Sequence, residues 1–218
     1  VTQEIDKMLA APVVTKIYAQ ITLFCNQRCP HCCYDSGPHR REFMDIEVFK
    51  ASLKYEPSAL FNIGGGEPTC HPQFWEMLDL AIKARGRGRV WLATNGKRKE
   101  HALKLAEMVR NGDIKACLSQ DKWHEPVSQE VVDAFKKLHT DGWVKAIRNV
   151  NKGRGPIKSG RCDWGEPRCN STLPFVQWDG KVRQCACLDA PIIGDVHFGY
   201  KSIVDSEKWK CWKGLCDG

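Results

Sequence analysis

Between residues 16 and 150 the chain alternates short runs rich in β-branched and aromatic residues with segments whose apolar positions recur every three to four residues. The runs KIYAQITLF (16–24), ALFNI (59–63), RVWLAT (89–94), IKACLS (114–119) and WVKAIRNV (143–150) predict five strands. Between them, Ile46, Phe49 and Leu53 follow Asp45 as an N-cap, and Phe74, Met77, Leu78, Ala81 and Ile82 keep helical spacing. Ala102, Leu105, Ala106 and Val109 form a third stripe, and Val131, Phe135 and Leu138 a fourth. Asn111-Gly112 and Asp141-Gly142 supply the stops. The later strands start 25 to 30 residues apart, as repeated right-handed β-α-β units require. A parallel, barrel-like α/β sheet follows, with the apolar stripes as its core.

From about residue 151 the texture changes to NKGRGPIKSGRCDWGEPRC, rich in Gly, Pro and charge, and then to FVQWDGKVRQC, a hairpin turning at Asp179-Gly180. The expected organisation is an α/β region over 1–155 and a small cysteine-rich domain over 156–218. With 218 residues and 42% hydrophobic content the chain can bury a proper core, which excludes disorder, collagen and coiled coil. No stretch approaches the roughly 18 consecutive apolar residues of a membrane span. The first residues, VTQEIDKMLAAPVV, lack the basic segment and apolar core of a signal peptide. The expectation is a cytoplasmic protein in a reducing compartment, without a membrane partner.

The cysteine count changes the picture. Twelve cysteines would allow six disulfides, but Cys25, Cys29, Cys32 and Cys33 crowd into nine residues and nothing indicates export, so metal ligation fits better. Six more, Cys162, Cys169, Cys185, Cys187, Cys211 and Cys216, lie in the last 57 residues. Two metal sites, one toward each end, is the simplest reading. In CNQRCPHC, directly after the first strand, three thiolates on one loop can hold three irons of a cubane cluster and leave the fourth open to a small chelating molecule. A zinc site is the alternative, but it wants four ligands in matched pairs, and His31 is poorly placed between Cys29 and Cys32 to be the fourth.

The C-x3-C-x2-C spacing of Cys25, Cys29 and Cys32 resembles that of the radical S-adenosylmethionine (SAM) superfamily, and other motifs fall in register with it. Gly64-Gly65-Gly66-Glu67 after the second strand is similar to the Gly-Gly-Glu motif that takes the methionine amino group of SAM. Asn95, in Thr94-Asn95-Gly96 after the third strand, and Ser119, in Ser119-Gln120-Asp121 after the fourth, match further superfamily elements, the serine reaching the ribose. All four stand at C-terminal strand ends, where α/β sheets bind ligands. The resemblance implies a [4Fe-4S] cluster, SAM as cosubstrate, a 5′-deoxyadenosyl radical and hydrogen abstraction, with the protein orienting the reactants and excluding water. It implies an external electron donor such as flavodoxin or ferredoxin. His31 occupies a position that is usually aromatic and packs near the adenine, and Arg148, at the end of the fifth strand, either meets the SAM carboxylate through its planar fork or forms a surface salt bridge. Cys33 has no role in the pattern and reads as a small buried hydrophobe.

The C-terminal cysteines resemble a second pattern. Cys169, ten residues, Gly180, four residues, Cys185 fits the opening of the SPASM and twitch auxiliary domains, and Ser159-Gly160-Arg161 is similar to their lead-in. The tail is short, so the resemblance implies one auxiliary [4Fe-4S] cluster, with Cys162, Cys169, Cys185, Cys211 and Cys216 as the pool of ligands. Cys187 is either an inert buried thiol or a hydrogen-atom donor that quenches a substrate radical. His124 reads as a loop hydrogen-bonder.

Charge bears on the substrate. The net charge is +7, and the loops after the five strands (25–43, 64–72, 95–100, 119–127, 149–168) carry twelve Lys/Arg against eight Asp/Glu. Members of the superfamily the chain resembles typically have six β-α units before the auxiliary domain, so the resemblance implies a short, open-sided partial TIM-like barrel of about five to six strands, and with the charge this favours a large acidic substrate. The first expectation is an isomerase or other modifying enzyme acting on hypermodified thymidine in DNA, which would suit a phage-encoded protein. The second is a peptide-modifying enzyme, and the non-enzyme reading is an iron–sulfur carrier or sensor. Lys97, Arg98, Lys99, Lys152, Arg154, Lys158 and Arg161 are the cations to test.

Overall fold

The computed structural model describes residues 15–55, 57–138, 147–148, 160–164, 174–183, 186 and 190–198. All five expected strands are present in order: β1 (Lys16–Thr22), β2 (Leu60–Gly65), β3 (Val90–Thr94), β4 (Lys115–Ser119) and β5 (Ile147–Arg148). Helices α1 (Ile46–Ser52), α2 (Phe74–Arg85), α3 (Lys99–Arg110) and α4 (Gln129–Lys136) fall where the apolar stripes place them. Asp45 caps α1 as expected, its carboxylate accepting from Glu47 N–H at 2.7 Å. Strand β1, which leads into Cys25, is shorter than the sequence run, because Leu23 and Phe24 leave the ladder to hydrogen-bond Glu42 and Thr22. No helix among the described residues is long and apolar enough to cross a membrane.

Neighbouring strands β1 to β5 pair in parallel, and the hairpin of the C-terminal region joins the same sheet. Strands β6 (Phe175–Val176), β7 (Lys181–Arg183) and β8 (Ile192–Asp195) complete the order β5-β4-β3-β2-β1-β6-β7-β8. Strand β6 lies parallel to β1, with Tyr18 opposite Phe175 and Ala19 opposite Val176, while β6-β7 and β7-β8 are antiparallel. Gly180 N–H donates to Gln177 O at 2.9 Å and closes the expected turn at Asp179-Gly180. Of the C-terminal cysteines, Cys162 is described and is buried; Cys169, Cys185, Cys187, Cys211 and Cys216 lie outside the described residues.

Side chains alternate between the two faces of this sheet. Ile17, Ala19, Ile21, Phe61, Ile63, Val90, Leu92, Ala116 and Leu118 face the helices, where Phe49, Phe74, Met77, Leu105 and Phe135 meet them in one buried core. Each of these large side chains contributes about 1.5–3 kcal/mol through burial. Phe49 packs edge-on against Phe61 at 5.7 Å. Arg85 lies under this layer, its guanidinium 5.1 Å from the Phe61 ring and donating to the Tyr55 and Leu53 carbonyls at 2.5 and 3.2 Å. It thereby satisfies the carbonyls left open after α1. The other face carries Tyr18, Gln20, Asn62, Gly64, Trp91 and Cys117, far more polar than a sheet covered on both sides by helices requires.

Candidate active site

The loop that leaves β1 folds back on itself. Cys25 N–H donates to Gly37 O at 3.3 Å and Cys32 N–H to Cys29 O at 3.2 Å, so the three cysteines line one tight turn. Their sulfurs attract backbone donors: Gln27 N–H reaches Cys25 Sγ at 3.4 Å and Ser36 N–H reaches Cys32 Sγ at 3.3 Å. Asn95 Nδ2 lies 3.6 Å from Cys25 Sγ and donates to Asn26 Oδ1 at 2.8 Å. Burial pushes the Cys25 thiol up to about 12, with the Glu67 charge adding, and pushes Cys29 up to about 11, with Cys32 adding. Three thiols gathered on one turn can bind a metal centre as thiolates, the metal displacing their protons. Gln27 adds a second sign: it is fully buried, its Oε1 accepts from the Cys29 thiol at 3.3 Å, and its Nε2 has no partner. A surplus of N–H donors around three sulfurs suits an anionic iron–sulfur cluster, and the donor set fits it.

The glycine run beside this loop is required by close approach. Gly66 N–H donates to Thr22 O at 2.8 Å and Glu67 N–H to Phe24 O at 3.0 Å, which lays the end of β2 against the start of the cysteine loop. A Cβ on Gly65 would stand 2.4 Å from Thr22 O, and one on Gly66 would stand 2.3 Å from Phe24 O. The Glu67 side chain then turns inward and is completely buried. Its Oε1 accepts from Thr69 Oγ1 at 2.7 Å, Thr94 Oγ1 at 2.8 Å and Thr69 N–H at 3.2 Å, and its Oε2 from Asn95 N–H at 2.7 Å. Burial raises the Glu67 pKa, and these four donors oppose it. The carboxylate therefore ties the ends of β2 and β3 together next to the cysteines.

The residues after β4 build a ring surface on the other side of the loop. His31 lies 4.9 Å from the Trp123 ring and 4.9 Å, edge-on, from His124. Asp121 accepts from Trp123 N–H at 3.0 Å, lies 2.9 Å from His124 Nδ1, and stands 3.9 Å from His31 Nε2. Burial works against the Asp121 charge, but the His124 and Trp123 hydrogen bonds outweigh it and take its carboxyl down to about 2. Ser119 ends β4 directly opposite Arg148 of β5.

Four further residues complete the site; Gly160 and Arg161 stand in the sequence only as a lead-in to the C-terminal pattern, and Cys70 and Trp123 carry no motif signal. Arg161 donates to Cys29 O at 2.9 Å, Ser36 O at 2.6 Å and Asp35 Oδ1 at 3.0 Å, and its own N–H bonds Cys32 O at 3.0 Å. Gly160, at φ 59°, passes so close to Cys33 that a Cβ would stand 2.5 Å from its carbonyl. Cys70 lies beside Asn26 N–H and Arg98, and burial pushes its thiol up to about 11. Trp123 is the fourth, visible in sequence only as an aromatic in DKWHEP. Cys33, expected to be buried, is half-buried.

A cysteine loop at a strand end of a parallel α/β sheet, braced by a glycine-rich turn and an Asn-Gly turn, defines an iron–sulfur enzyme core. A family model described as the Radical SAM superfamily matches residues 19–159, and the chain belongs to that superfamily. Mycofactocin maturase MftC of Mycobacterium tuberculosis (strain CDC 1551 / Oshkosh) is 36% identical over 159 residues, covering 68% of this chain and 37% of that protein. GTP 3′,8-cyclase of Haemophilus ducreyi is 30% identical over 109 residues, covering 46% and 31%. The chain thus spans about a third of the length of these curated relatives. Among solved structures, BtrN in complex with AdoMet and 2-DOIA aligns with a TM-score of 0.58 at 17% identity, covering 92% of this chain and 83% of that one. AdoMet-bound anSMEcpe aligns at 0.58 and 16% identity, covering 92% and 81%.

Proposed function

We propose that the chain is a radical SAM enzyme that takes a hydrogen atom from a peptide substrate. The observation that carries the choice of peptide over nucleic acid is the state of the cations at the mouth. Lys97 pairs with Glu125 at 2.8 Å, Lys99 with Glu130 at 2.5 Å, Arg98 donates to Thr69 O at 2.5 Å, and Arg161 is held by Asp35 and the cysteine loop. Exposed pairs such as Lys97–Glu125 are weak, but they place a carboxylate beside Lys97 and Lys99 where a phosphate backbone would have to dock. The nucleic-acid reading rests on the charge count alone, and Lys152, Arg154 and Lys158 lie outside the described residues. Kinship with a protein named as a maturase supports the same choice.

Cys25, Cys29 and Cys32 would hold the cluster, which when bound supplies the electron that cleaves SAM. Gln27 and Asn95 aim N–H groups at the sulfurs, and Glu67 fixes the two strand ends that border them. His31 and Trp123, set by Asp121, offer a ring surface suited to the adenine, with Ser119 and Arg148 proposed for the ribose and carboxylate. In this proposal a second [4Fe-4S] cluster draws on Cys162, Cys169, Cys185, Cys211 and Cys216, Cys187 is the hydrogen-atom donor, and a flavodoxin or ferredoxin delivers electrons.

The test is anaerobic reconstitution followed by titration with duplex DNA at 50 and 200 mM salt, alongside SAM cleavage with peptides. Weak DNA binding with a shallow salt dependence is expected. A steep fall in affinity, on the order of 10³-fold, that Lys97, Arg98 and Lys99 replacement flattens would return the substrate to nucleic acid.

A further inference from the structure

Beside the cysteine loop, the ring surface built by His31 and the residues after β4 contains a ligand set of its own. One nitrogen from each of His31 and His124 and one carboxylate oxygen of Asp121 all lie within 4.8 Å of one another. Asp121 and His124 come from one loop, three positions apart, and His31 comes from the cysteine loop between Cys29 and Cys32. The Asp121 side chain has no exposed surface, and those of His31 and His124 are only 10% and 12% exposed. A carboxylate is shielded from water in this way where it is paired or coordinates a metal.

The separations distinguish a hydrogen-bonded triad from a metal site. His124 Nδ1 stands 2.9 Å from Asp121 Oδ1, which a shared proton explains. His31 Nε2 stands 3.9 Å from Asp121 Oδ2, beyond the reach of a hydrogen bond. Two ligands of a tetrahedral zinc ion, each bonded at about 2.0–2.2 Å, stand about 3.3–3.6 Å apart. The two separations fall on either side of that value, so an ion seated between the rings and the carboxylate needs side-chain shifts of about 1 Å or less. Imidazole nitrogen and carboxylate oxygen suit a borderline divalent ion, zinc above all. Three protein ligands leave a fourth position for water, which the exposed edges of His31 and His124 can admit. An anionic cluster on Cys25, Cys29 and Cys32 would lie alongside and favour a dication. A metal on an imidazole nitrogen lies in the plane of the ring, so the ring surface assigned to the adenine is left intact.

We infer that His31, Asp121 and His124 form a binding site for a zinc-class divalent cation, separate from the iron–sulfur cluster, and that the ion pins the cysteine loop to the end of β4. The site is independent of the substrate and does not rest on the peptide reading.

The test uses the full chain, reconstituted anaerobically with iron and sulfide so that the cysteines are occupied, equilibrated with micromolar zinc chloride and cleared of loose metal by gel filtration. Iron and zinc are read by elemental analysis, and the surroundings of the zinc by X-ray absorption at the zinc edge, which iron does not disturb. The wild type is expected to keep about one zinc per chain more than Asp121→Asn, His124→Gln or His31→Phe keeps, bound by nitrogen and oxygen at about 2.0–2.1 Å. Asp121→Asn retains an oxygen to accept from Trp123 N–H, so the turn stays while the anionic ligand goes. His31→Phe keeps a ring for the adenine. Zinc should raise the Tm of the wild type by several degrees and leave that of Asp121→Asn where it was, because only the former gains a ligand on folding. Equal zinc in the wild type and all three variants would overturn the inference. A zinc shell made of sulfur alone at about 2.3 Å, the mark of cysteine ligation, would overturn it as well.

Discussion

The Arg161 guanidinium donates to the Cys29 carbonyl at 2.9 Å across 132 positions of sequence, and the Arg161 N–H bonds Cys32 O at 3.0 Å. One residue of the C-terminal region thus holds two of the three cysteine positions of the first loop. Arg161→Gln should cost about 2 kcal/mol of loop stability and release cluster iron to a chelator several-fold faster, because two carbonyls and Asp35 lose a charged donor. Arg161→Lys should restore part of the effect. Iron release at the wild-type rate in Arg161→Gln would show that the clamp is passive.

Gly66→Ala should be among the most damaging single-methyl additions in the chain. The new Cβ would meet the Phe24 carbonyl at 2.3 Å, and a backbone atom cannot rotate aside as a side chain can. A loss of about 3 kcal/mol or more is expected, read by urea denaturation. Gly112→Ala is the comparison: its Cβ meets nothing within 4 Å, so only the cost of its left-handed φ of 77° remains.

Replacing Cys25, Cys29 and Cys32 together by Ala should remove about four irons per chain after reconstitution. Stoichiometric zinc in place of iron in the wild type would contradict the cluster reading.

Acid should weaken the fold through His71. This residue is buried, with Nδ1 accepting from Gln73 N–H at 3.0 Å and Nε2 placed 3.0 Å from Met44 O, an arrangement that needs the neutral ring. Burial holds its pKa below the usual 6.5, against the opposing bond to Met44. The unfolded chain takes up a proton near pH 6.5 while the folded chain resists. The stability from the neutral ring is therefore complete above about pH 6.5 and declines below it, by at most about 1.4 kcal/mol per pH unit. His71→Gln should give a flatter Tm profile between pH 7 and 5. An unchanged slope would assign the acid sensitivity to other groups.

Much of the architecture is legible in the sequence because it is local. Strand and helix periods, the Asp45 cap, the turn at Asp179-Gly180 and the spacing of Cys25, Cys29 and Cys32 are all set within a dozen residues. The contacts that complete the site are not. Arg161 reads as one basic residue in a Gly-rich stretch, and nothing nearby announces that its partners are Asp35, Ser36 and Cys29. The Glu67 motif suggested an acceptor for the methionine amino group, but not that the fold engages that carboxylate with Thr69, Thr94 and Asn95, partners fixed only when β2 and β3 lie side by side. Lys97 and Lys99 counted as free charge until the loop and helix that carry Glu125 and Glu130 came beside them. The alternation of Tyr18, Gln20 and Thr22 with Ile17, Ala19 and Ile21 was visible, but that Gln20 is buried without a hydrogen-bond partner is a property of the folded interior.

The pairing of β1 with β6 also sets an order of events during synthesis. Residues 18 and 175 are neighbours in the sheet, so β1 keeps one unpaired edge until nearly 160 further residues have left the ribosome. The cysteine loop grows out of that unfinished strand, and Gly160-Arg161 reaches it only shortly before β6 does. Assembly of the first loop is thus a late event on the nascent chain, and a protein truncated before residue 160 would display its three thiols on a strand with an open side, exposed to oxidation and to strand exchange with other chains.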